Sequence, residues 1–578
     1  MKKLFSSLGK YKIGIVLVFI FAVLSTIFSI VGPKITGTVT EDIFEGIVAK
    51  LSGTGGIDFI KIHKTLLFIL GLYIISSICN YFDSYIMSVI TQKYTYELRK
   101  KIEEKIHKLP LKYFDSKNNG EVLSIATNDV DTLQMSLNQS LVQLITSITT
   151  VVGIVIMMVL IDIPMTLLIV LLIPISIVFM AFTIKKSQVH FKNTQNYLGH
   201  IDGDIEEMFS GQTVIKAFNA EDKMIDAFKM NNKVLYESNW KSQFFAGLMH
   251  PIMAFIGNLG YVAVAIFGGY RCIQGHINVG NIQSFIAYTK TFTQPITQIG
   301  QVFNQIQSMI AAAERIFEFL EEEEEVYAKD KLDYKKVLGD VEFDHIKFGY
   351  DENIIIKDFS LSVKNGSKIA IVGPTGAGKT TIVKLLMKFY NLNDGAIYLD
   401  GKDISSYDAH TLRQAFSMVL QDTWLYSGTI MDNLKYGNLN ATDEDVINAC
   451  KIANAHNFIK NLPDGYNMVI DEDMTNISQG QKQLLTIARA ILADSKVLIL
   501  DEATSSVDTR TEELIQEAMD KLMEGRTSFI IAHRLSTIKN ADQIIVMNDG
   551  DIIEVGNHKQ LLKQDGFYAK LYNSQFDK

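Results

Sequence analysis

The chain has 578 residues, of which 48% are hydrophobic and 21% charged, and its formal net charge is −9. This length exceeds one ordinary domain, and the acidic balance gives no support for nucleic acid binding. The three cysteines are widely separated and form no disulfide or metal-binding pattern. Long apolar runs over residues 1–310 give way to soluble α/β-type sequence over residues 335–578, so we expect a membrane domain followed by a soluble one.

The N-terminal half contains stretches long enough to cross a bilayer, which takes about 20 apolar residues. The predicted spans lie near residues 13–33, 65–90, 138–161, 163–184, 246–270 and 281–306. The first four are clear, whereas the last two are more polar. The start, "MKKLFSSLGKYK", resembles the charged end of a signal peptide. Because the apolar run behind it is of spanning length and lacks a small-residue cleavage site, we expect it to be the first membrane helix.

The links between the predicted spans alternate in length. Those after spans 3 and 5 are short, whereas those after spans 2 and 4 are long, lysine-rich and helical in pattern. The positive-inside rule therefore places the long links and both chain termini in the cytoplasm. Segments 113–124 and 208–218 are candidate turns at the tips of the two long links. The sequence leaves open whether they are solvated hairpins or short helices that contact the C-terminal half.

The predicted sixth span carries Lys290, Gln294, Gln298 and Gln301 at helical spacing. Polar side chains are expensive against lipid, so we expect this stripe to face a substrate pathway or neighbouring helices. For Lys290 two interpretations stay open, since it can snorkel or pair with a carboxylate, or line the pathway. The acidic run that follows predicts a linker at 321–338, between a transmembrane domain at 1–320 and a nucleotide-binding domain at 339–578.

The segment "KIAIVGPTGAGKTTIVKLL" reads as an apolar strand, a glycine-rich loop with the P-loop spacing and an amphipathic helix. Backbone N–H groups of such a loop cradle phosphates, while Lys379 reaches the β- and γ-phosphates and Thr380 can bind Mg²⁺. Tyr350 is either a partner for the adenine ring or an ordinary strand aromatic. The predicted ATP contacts are Tyr350, Gly373, Pro374, Thr375, Gly376, Ala377, Gly378, Lys379, Thr380 and Thr381.

Three further apolar strands end in polar side chains, and the carboxyl ends of parallel strands meet at one sheet edge. Asp501 and Glu502 follow "KVLIL", where Asp501 would meet Mg²⁺ and Glu502 would polarise the attacking water. His533 and Gln421 follow the other two strands and are placed to contact the γ-phosphate or the water. We therefore predict Glu502, His533 and Gln421 as catalytic, with Thr380, Gln421 and Asp501 as magnesium ligands.

In this order the motifs, together with "ISQGQ" at 477–481 and "SSVD" at 505–508, resemble the nucleotide-binding domain of an ABC transporter over residues 339–575. Six spans fused ahead of such a domain resemble a half-size ABC exporter. The resemblance implies a six-span α-helical transmembrane domain followed by an α/β P-loop ATPase. It also implies that two such chains sandwich ATP head to tail. The implied contacts to the partner's ATP are Ser478, Gln479, Gly480, Gln481 and Asp508.

Gln479 stands where the family usually has glycine in L-S-G-G-Q. The resemblance to heterodimeric exporters, in which one ATP site is degenerate, favours a heterodimer over a homodimer. The expected function is ATP-driven export of an amphiphilic drug, small molecule or lipid across the cell membrane by alternating access. A lipid flippase and an ATP-gated channel or sensor without net pumping remain alternatives. The expected partners are a second half-transporter, membrane lipid and the amphiphile, with no nucleic acid.

Overall fold

The structure is a computed structural model that describes residues 2–117, 119–325, 328, 330–350, 353–420, 423–471, 476–501, 508–531 and 538–576. The chain forms two compact units. The first contains Met1–His107 and Asn119–Glu322, and the second contains Lys108–Asn118 and Glu323–Lys578. The short segment Lys108–Asn118, which lies between two helices of the first unit in sequence, thus belongs to the second.

The first unit is entirely helical in the described residues. Its α-helices are α1 Lys2–Ser7, α2 Lys12–Leu51, α3 Phe59–Ile106, α5 Asn119–Ser124, α6 Val130–Val159, α7 Ile163–Val170, α8 Leu172–Ser210, α9 Gln212–Ala217, α10 Glu221–Gly247, α11 Met249–Ile273 and α12 Val279–Glu321. Helix α4, Leu111–Ser116, belongs to the second unit. The long predicted links are therefore helical, and short helices lie at both predicted tips.

Five helical stretches of the described chain are long and apolar enough to cross a membrane. They are Leu8–Leu51, Phe59–Ile106, Gly120–Val159, Ile163–Ser210 and Glu221–Ile273. The predicted sixth span falls in α12, which has 43 residues but a more polar sequence. The helical membrane domain is clear, whereas the sixth span stays a prediction.

The second unit is built on a mixed sheet. Its strands are β1 Val341–Phe348, β2 Ile356–Val363, β3 Lys368–Val372, β4 Asp394–Leu399, β5 Lys402–Asp403, β6 Phe416–Val419, β7 Gly428–Thr429, β8 Val469–Ile470, β9 Val497–Asp501, β10 Thr527–Ile531, β11 Gln543–Asn548 and β12 Asp551–Gly556. Its further helices are α13 Lys379–Leu386, α14 Ala409–Arg413, α15 Ile430–Lys435, α16 Asp443–Ile452, α17 His456–Lys460, α18 Gln479–Ala493, α19 Thr509–Met523, α20 His558–Gln564 and α21 Phe567–Phe576.

Ten strands form one sheet in the order β5-β4-β1-β2-β12-β11-β3-β10-β9-β6. Strands β11, β3, β10, β9 and β6 pair in parallel, and their side chains alternate between two buried clusters. In β3, for example, Ala370 and Val372 belong to one cluster while Ile369 and Ile371 belong to the other. This alternation follows from the two-residue period of a strand. It explains why these strands read as continuous apolar runs, since both faces are covered.

Candidate nucleotide site and membrane chamber

The loop after β3 has the backbone of a phosphate cradle. Gly373, Gly376 and Gly378 have φ angles of 157°, 85° and 93°, a region that favours glycine. A Cβ atom on Gly373 would lie 2.2 Å from the carbonyl oxygen of Met547, so no side chain fits there. The chain then enters α13 at Lys379. The P-loop of the sequence therefore has the strand–loop–helix setting in which backbone N–H groups bind phosphate.

Lys379 folds back over this loop. Its Nζ donates to the carbonyl oxygens of Gly373 at 2.9 Å and Pro374 at 3.0 Å. Burial lowers the pKa of the Lys379 ammonium, and the charge of Asp501 opposes this shift. Thr380 is exposed at the start of α13, whereas Thr381 is buried. The loop and the first turn of α13 thus hold the Lys379 cation and the exposed hydroxyl of Thr380 where a nucleotide's phosphates would lie.

Asp501 ends β9 beside the end of β10, because Asp501 pairs with Ile531 in the parallel register. The predicted residues Glu502, His533 and Gln421 lie outside the described residues. They follow the ends of β9, β10 and β6, which are neighbouring parallel strands. Their catalytic roles therefore stay predictions, as does the use of Asp501 and Gln421 as metal ligands.

Tyr350 follows β1 in an aromatic cluster that sequence reasoning missed. Its ring lies edge-on to Phe348 and to Tyr390, each with centroids 5.0 Å apart, and its hydroxyl lies 3.4 Å from that of Thr381. Lys384 of α13 places its ammonium 5.9 Å from the Tyr350 ring centroid and 5.7 Å from that of Tyr390. Tyr350 is half-buried beside the P-loop helix, a position compatible with either interpretation of its role.

The signature segment "ISQGQ" begins α18. Ser478 is the N-cap, and its hydroxyl accepts from the backbone N–H of Gln481 while the Gln481 side chain accepts from the N–H of Ser478. Gln479, the residue in place of glycine, donates from its side chain to the Thr423 hydroxyl at 3.5 Å. Gly480 is buried. This capping box leaves the helix N-terminus fixed without any partner chain.

Asp508 is likewise the N-cap residue of its helix, α19, and its carboxylate accepts a hydrogen bond from the backbone N–H of Thr511 at 3.0 Å. The hydrogen bonds that surround the ionised carboxylate lower the pKa of Asp508, the N–H of Thr511 first among them. The contacts predicted from Ser478, Gln479, Gly480, Gln481 and Asp508 to a partner's ATP stay predictions. In the described residues these groups serve the local structure of α18 and α19.

A chamber of about 430 Å³ lies within the first unit among α2, α3, α6 and α12. Gln294 and Gln298, predicted for the substrate pathway, line it, and Gln298 accepts from Ser147 at 3.1 Å. Lys290 and Gln301 are not among its lining residues. The Lys290 ammonium lies 5.6 Å from the ring centroid of Tyr261. The two glutamines thus share one polar chamber, whereas a pathway role for Lys290 and Gln301 stays a prediction.

Two prolines on the chamber wall could have been found in the sequence. Pro33 lies inside α2 and Pro295 inside α12. Proline in a helix removes one backbone hydrogen bond and leaves a carbonyl without its donor. In membrane helices such breaks are tolerated where they line a cavity or are buried in protein. Proline within an apolar run is therefore the sequence signal that points to this chamber.

A P-loop that follows one of the parallel strands of the sheet, in one chain with long apolar helices, defines an ATP-hydrolysing membrane protein. Comparison with known families specifies it further. Residues 15–296 match the ABC transporter transmembrane region, and residues 356–505 match the ABC transporter ATPase domain. The chain belongs to the ABC transporter family, and it couples ATP hydrolysis to transport. The predicted fold class, a helical transmembrane domain followed by an α/β ATPase, is confirmed.

Relatives that align with most of the chain support the same family. The chain is 41% identical to the "Fatty acid ABC transporter ATP-binding/permease protein" of Mycobacterium bovis, over 94% of this chain and 91% of the relative. It is 35% identical to the "ATP-dependent lipid A-core flippase" of Syntrophus aciditrophicus, over 87% of this chain and 84% of the relative. A solved bacterial Atm1-family ABC exporter with ATP bound superposes with a TM-score of 0.77 at 26% identity, covering 98% of both chains.

Proposed function

We propose that this chain is one half of an exporter that moves an amphiphilic lipid across the cell membrane. The relatives named for fatty acid and for lipid A-core support the lipid class. The observation that carries the proposal is the pairing, in one chain, of the P-loop cradle with a membrane unit that holds a polar chamber. Both chain termini and the lysine-rich links lie on the cytoplasmic side.

The ATP site is completed by a second chain. One chain supplies one P-loop and one signature segment, and the capped N-terminus of α18 presents Ser478 and backbone N–H groups that suit a phosphate. These groups close over ATP held on the partner's P-loop. Glu502 then orients the attacking water, with Gln421 and His533 near the γ-phosphate, and Lys379 neutralises phosphate charge.

Magnesium fits the same edge of the sheet. The exposed hydroxyl of Thr380 and the carboxylate of Asp501 are hard oxygen donors of the kind that Mg²⁺ prefers. These residues would hold the ion that accompanies ATP, with Gln421 as a further ligand. When bound, the ion neutralises charge on the β- and γ-phosphates.

The tip around α9 presents an apolar surface. Phe209, Val214 and Phe218 are 80%, 61% and 78% exposed. The second unit has a groove of about 360 Å³ whose lining includes the exposed side chains of Leu420, Trp424 and Tyr436. We propose that the tip of one half-transporter docks in this groove of its partner, because each surface is apolar and incompletely covered in a single chain. ATP-driven closure then reaches the spans through this contact.

The partner is a different half-transporter. Gln479 adds a side chain where close approach to the partner's phosphate favours glycine, while Glu502 is retained. One composite site then hydrolyses ATP using Glu502 of this chain and the partner's signature, and the other site is degenerate. Co-purification from the native membrane tests this proposal. A second half-transporter with a residue other than glutamate after its catalytic-strand aspartate supports it, and recovery of this chain alone contradicts it.

Transport is tested in sealed proteoliposomes that contain the purified transporter and a fluorescent monoacylglycerol, with a fluorescent fatty acid for comparison. We expect ATP-dependent accumulation on the side opposite the nucleotide-binding domains, and its loss in Glu502→Gln, which retains ATP binding. Conductance or signalling that depends on ATP without uphill movement of any amphiphile would favour the channel or sensor alternative. Movement of lipid from one leaflet to the other without release would favour the flippase.

A further inference from the structure

The chamber among α2, α3, α6 and α12 is lined by hydroxyl and amide groups without a fixed charge. Its polar walls include Ser29, Ser76, Asn80, Thr291, Gln294 and Gln298. No lysine, arginine, histidine, aspartate or glutamate lies among its lining residues. Its volume falls within the range of small-molecule sites, about 300–1,000 Å³. The walls can therefore both donate and accept hydrogen bonds, but they supply no counterion.

Part of this polarity is already used inside the protein. Ser25 and Ser76 donate to each other's backbone carbonyls at 3.0 and 2.8 Å, and the Tyr288 hydroxyl donates to the carbonyl of Ile30 at 2.9 Å. Within the described chain, by contrast, no residue hydrogen-bonds to the side-chain amides of Asn80 or Gln294. These two amides supply donors and acceptors that a bound molecule can use.

The two prolines add backbone acceptors to the same space. Pro33 removes the helical donor to the carbonyl of Ser29, and Pro295 removes that to the carbonyl of Thr291. Both of these residues line the chamber. Among described residues, no side chain donates to either carbonyl. These two backbone carbonyls can therefore accept hydrogen bonds from a bound molecule that carries hydroxyl groups.

A buried acid on one of the chamber-lining helices disfavours a bound anion. Asp83 is fully buried three residues beyond Asn80 on α3, and its Oδ1 accepts from Ser84. Its Oδ2 has no hydrogen-bond partner in the described residues. Lys290, the nearest cation along α12, is directed to Tyr261. None of the described lining residues supplies a cation for an ionised carboxylate, and burying a carboxylate unpaired is costly.

We propose that this chamber binds the neutral, hydroxyl-bearing head group of an amphiphile, such as a glycerol or sugar head, in preference to an ionised carboxylate. The inference rests on the proposed function, because it names the head group of the exported lipid. Hydroxyls donate to the carbonyls of Ser29 and Thr291 and exchange hydrogen bonds with the amides of Asn80 and Gln294. A free fatty acid gains none of this complementarity in its ionised form.

Binding to the full chain in lipid nanodiscs, with its partner subunit if co-purified, tests the proposal with three probes that share the same length of cis-unsaturated hydrocarbon chain. They are monooleoylglycerol, oleate and oleylamine, whose heads are neutral, anionic and cationic at pH 7.5. We expect monooleoylglycerol to bind about tenfold more tightly than oleate. Asn80→Leu and Gln294→Leu each weaken its binding about fivefold, the effect of losing one or two hydrogen bonds, and leave oleate binding unchanged.

Two further variants keep the test independent of folding. Gln283→Leu makes the same change on α12 at an exposed position outside the chamber, and we expect unchanged binding of all three probes. Gln294→Glu is nearly isosteric and places a carboxylate in the chamber, so it should strengthen oleylamine binding several-fold and weaken oleate binding. A gain for one head group cannot arise from misfolding.

Tighter binding of oleate than of monooleoylglycerol, or equal losses for all three probes in the Asn80 and Gln294 variants, would overturn the proposal. Transport in proteoliposomes separates this failure from failure of the export function. If lipid is exported but the Asn80 and Gln294 variants leave monooleoylglycerol binding unchanged, export stands and the chamber proposal fails. If monooleoylglycerol binds in the chamber but no lipid moves against a gradient, the chamber stands and export fails.

Discussion

The carboxylate of Asp115 lies 3.1 Å from the ammonium of Lys384, and the same carboxylate accepts a hydrogen bond from the Tyr390 hydroxyl. Asp115 belongs to α4, the short helix between two helices of the membrane unit, and Lys384 belongs to the P-loop helix α13. Lys384 and Tyr390 both contact the ring of Tyr350. One carboxylate therefore joins α4 to the aromatic cluster beside the P-loop.

Asp115→Asn should weaken this junction. It removes the charge that pairs with Lys384 and Tyr390, and a hydrogen bond to a charged group contributes about 1.5–3 kcal/mol, less where it is partly exposed. We expect a lower thermal unfolding temperature and reduced stimulation of ATPase activity by transported lipid, with basal activity retained. Asp549→Asn is the control, because Asp549 forms a 2.7 Å pair with Lys357 that is exposed and far less buried. Equal behaviour of the two variants would contradict the role of Asp115.

The same carboxylate predicts a dependence on pH. Burial opposes its ionisation, but the Tyr390 hydrogen bond and Lys384 together hold the pKa of Asp115 below its ordinary value. A carboxyl whose pKa is lowered in the folded state stabilises that state above the ordinary pKa of about 3.9 and loses the contribution as the pH falls through the folded value. The stability difference between wild type and Asp115→Asn, measured by thermal unfolding, should therefore be constant near neutral pH and vanish in strong acid. A difference that grows with acid would contradict this assignment.

Lys379→Ala should abolish ATP turnover. The variant removes the cation that lies over the P-loop carbonyls, and losing one such electrostatic contact costs about 10²–10³-fold in rate. ATPase activity and nucleotide binding measure the effect. Lys388→Ala is the control, since its ammonium contacts the carbonyls of Ser405 and Tyr407, and its activity should stay near that of the wild type. Comparable losses in both variants would indicate a general folding defect.

The crossing of α2 and α12 depends on two glycines. A Cβ atom on Gly280 would lie 2.0 Å from the carbonyl oxygen of Gly37. Because the opposing atom is backbone, Gly280→Ala forces the helices apart, and such overpacking costs about 1–3 kcal/mol. We expect a clear drop in thermal stability in nanodiscs. Gly269→Ala, in α11 with open space around it, should be neutral or slightly stabilising. No difference between these two variants would contradict the tight crossing.

Gln479→Gly tests the asymmetry of the two ATP sites. In the complex with its partner, restoring glycine removes the side chain that we place beside the partner's phosphate, so ATP should be held more tightly at the degenerate site. The ATPase rate should change little, because that site has no catalytic glutamate. Thr423→Val removes the hydrogen bond from Gln479 and should leave ATP retention nearly unchanged. Unchanged or weaker ATP retention in Gln479→Gly, with α18 still folded, would show that the Gln479 side chain does not approach the partner's phosphate.

Much of the second unit could be predicted because local sequence determines it. The P-loop and the strands that end at Val372 and Asp501 follow from apolar runs, glycine spacing and polar strand ends. The paths of the long helical links could also be predicted from their periodicity. The set of helices that encloses the membrane chamber could not, because Pro33 and Pro295 are 262 positions apart and line one cavity only through helix packing.

The partners of Asp115 and the contact made by the Gln479 side chain could not be predicted from local sequence patterns either. Asp115 lies in the candidate turn at 113–124, but nothing in "YFDSKNNG" indicates its partners Lys384 and Tyr390, which follow some 270 residues later. Gln479 contacts Thr423 across 56 positions, so the sequence alone gave only its departure from glycine. Long-range pairs of this kind depend on tertiary packing rather than on periodicity or motif spacing.

The most direct test counts chains while measuring turnover. Nanodiscs sorted by native mass into those with one half-transporter and those with two can be assayed for ATP hydrolysis. We expect steady hydrolysis only in discs with two halves, and ATP-dependent trapping of the closed pair in Glu502→Gln. Full-rate hydrolysis by discs that contain a single chain would contradict the account.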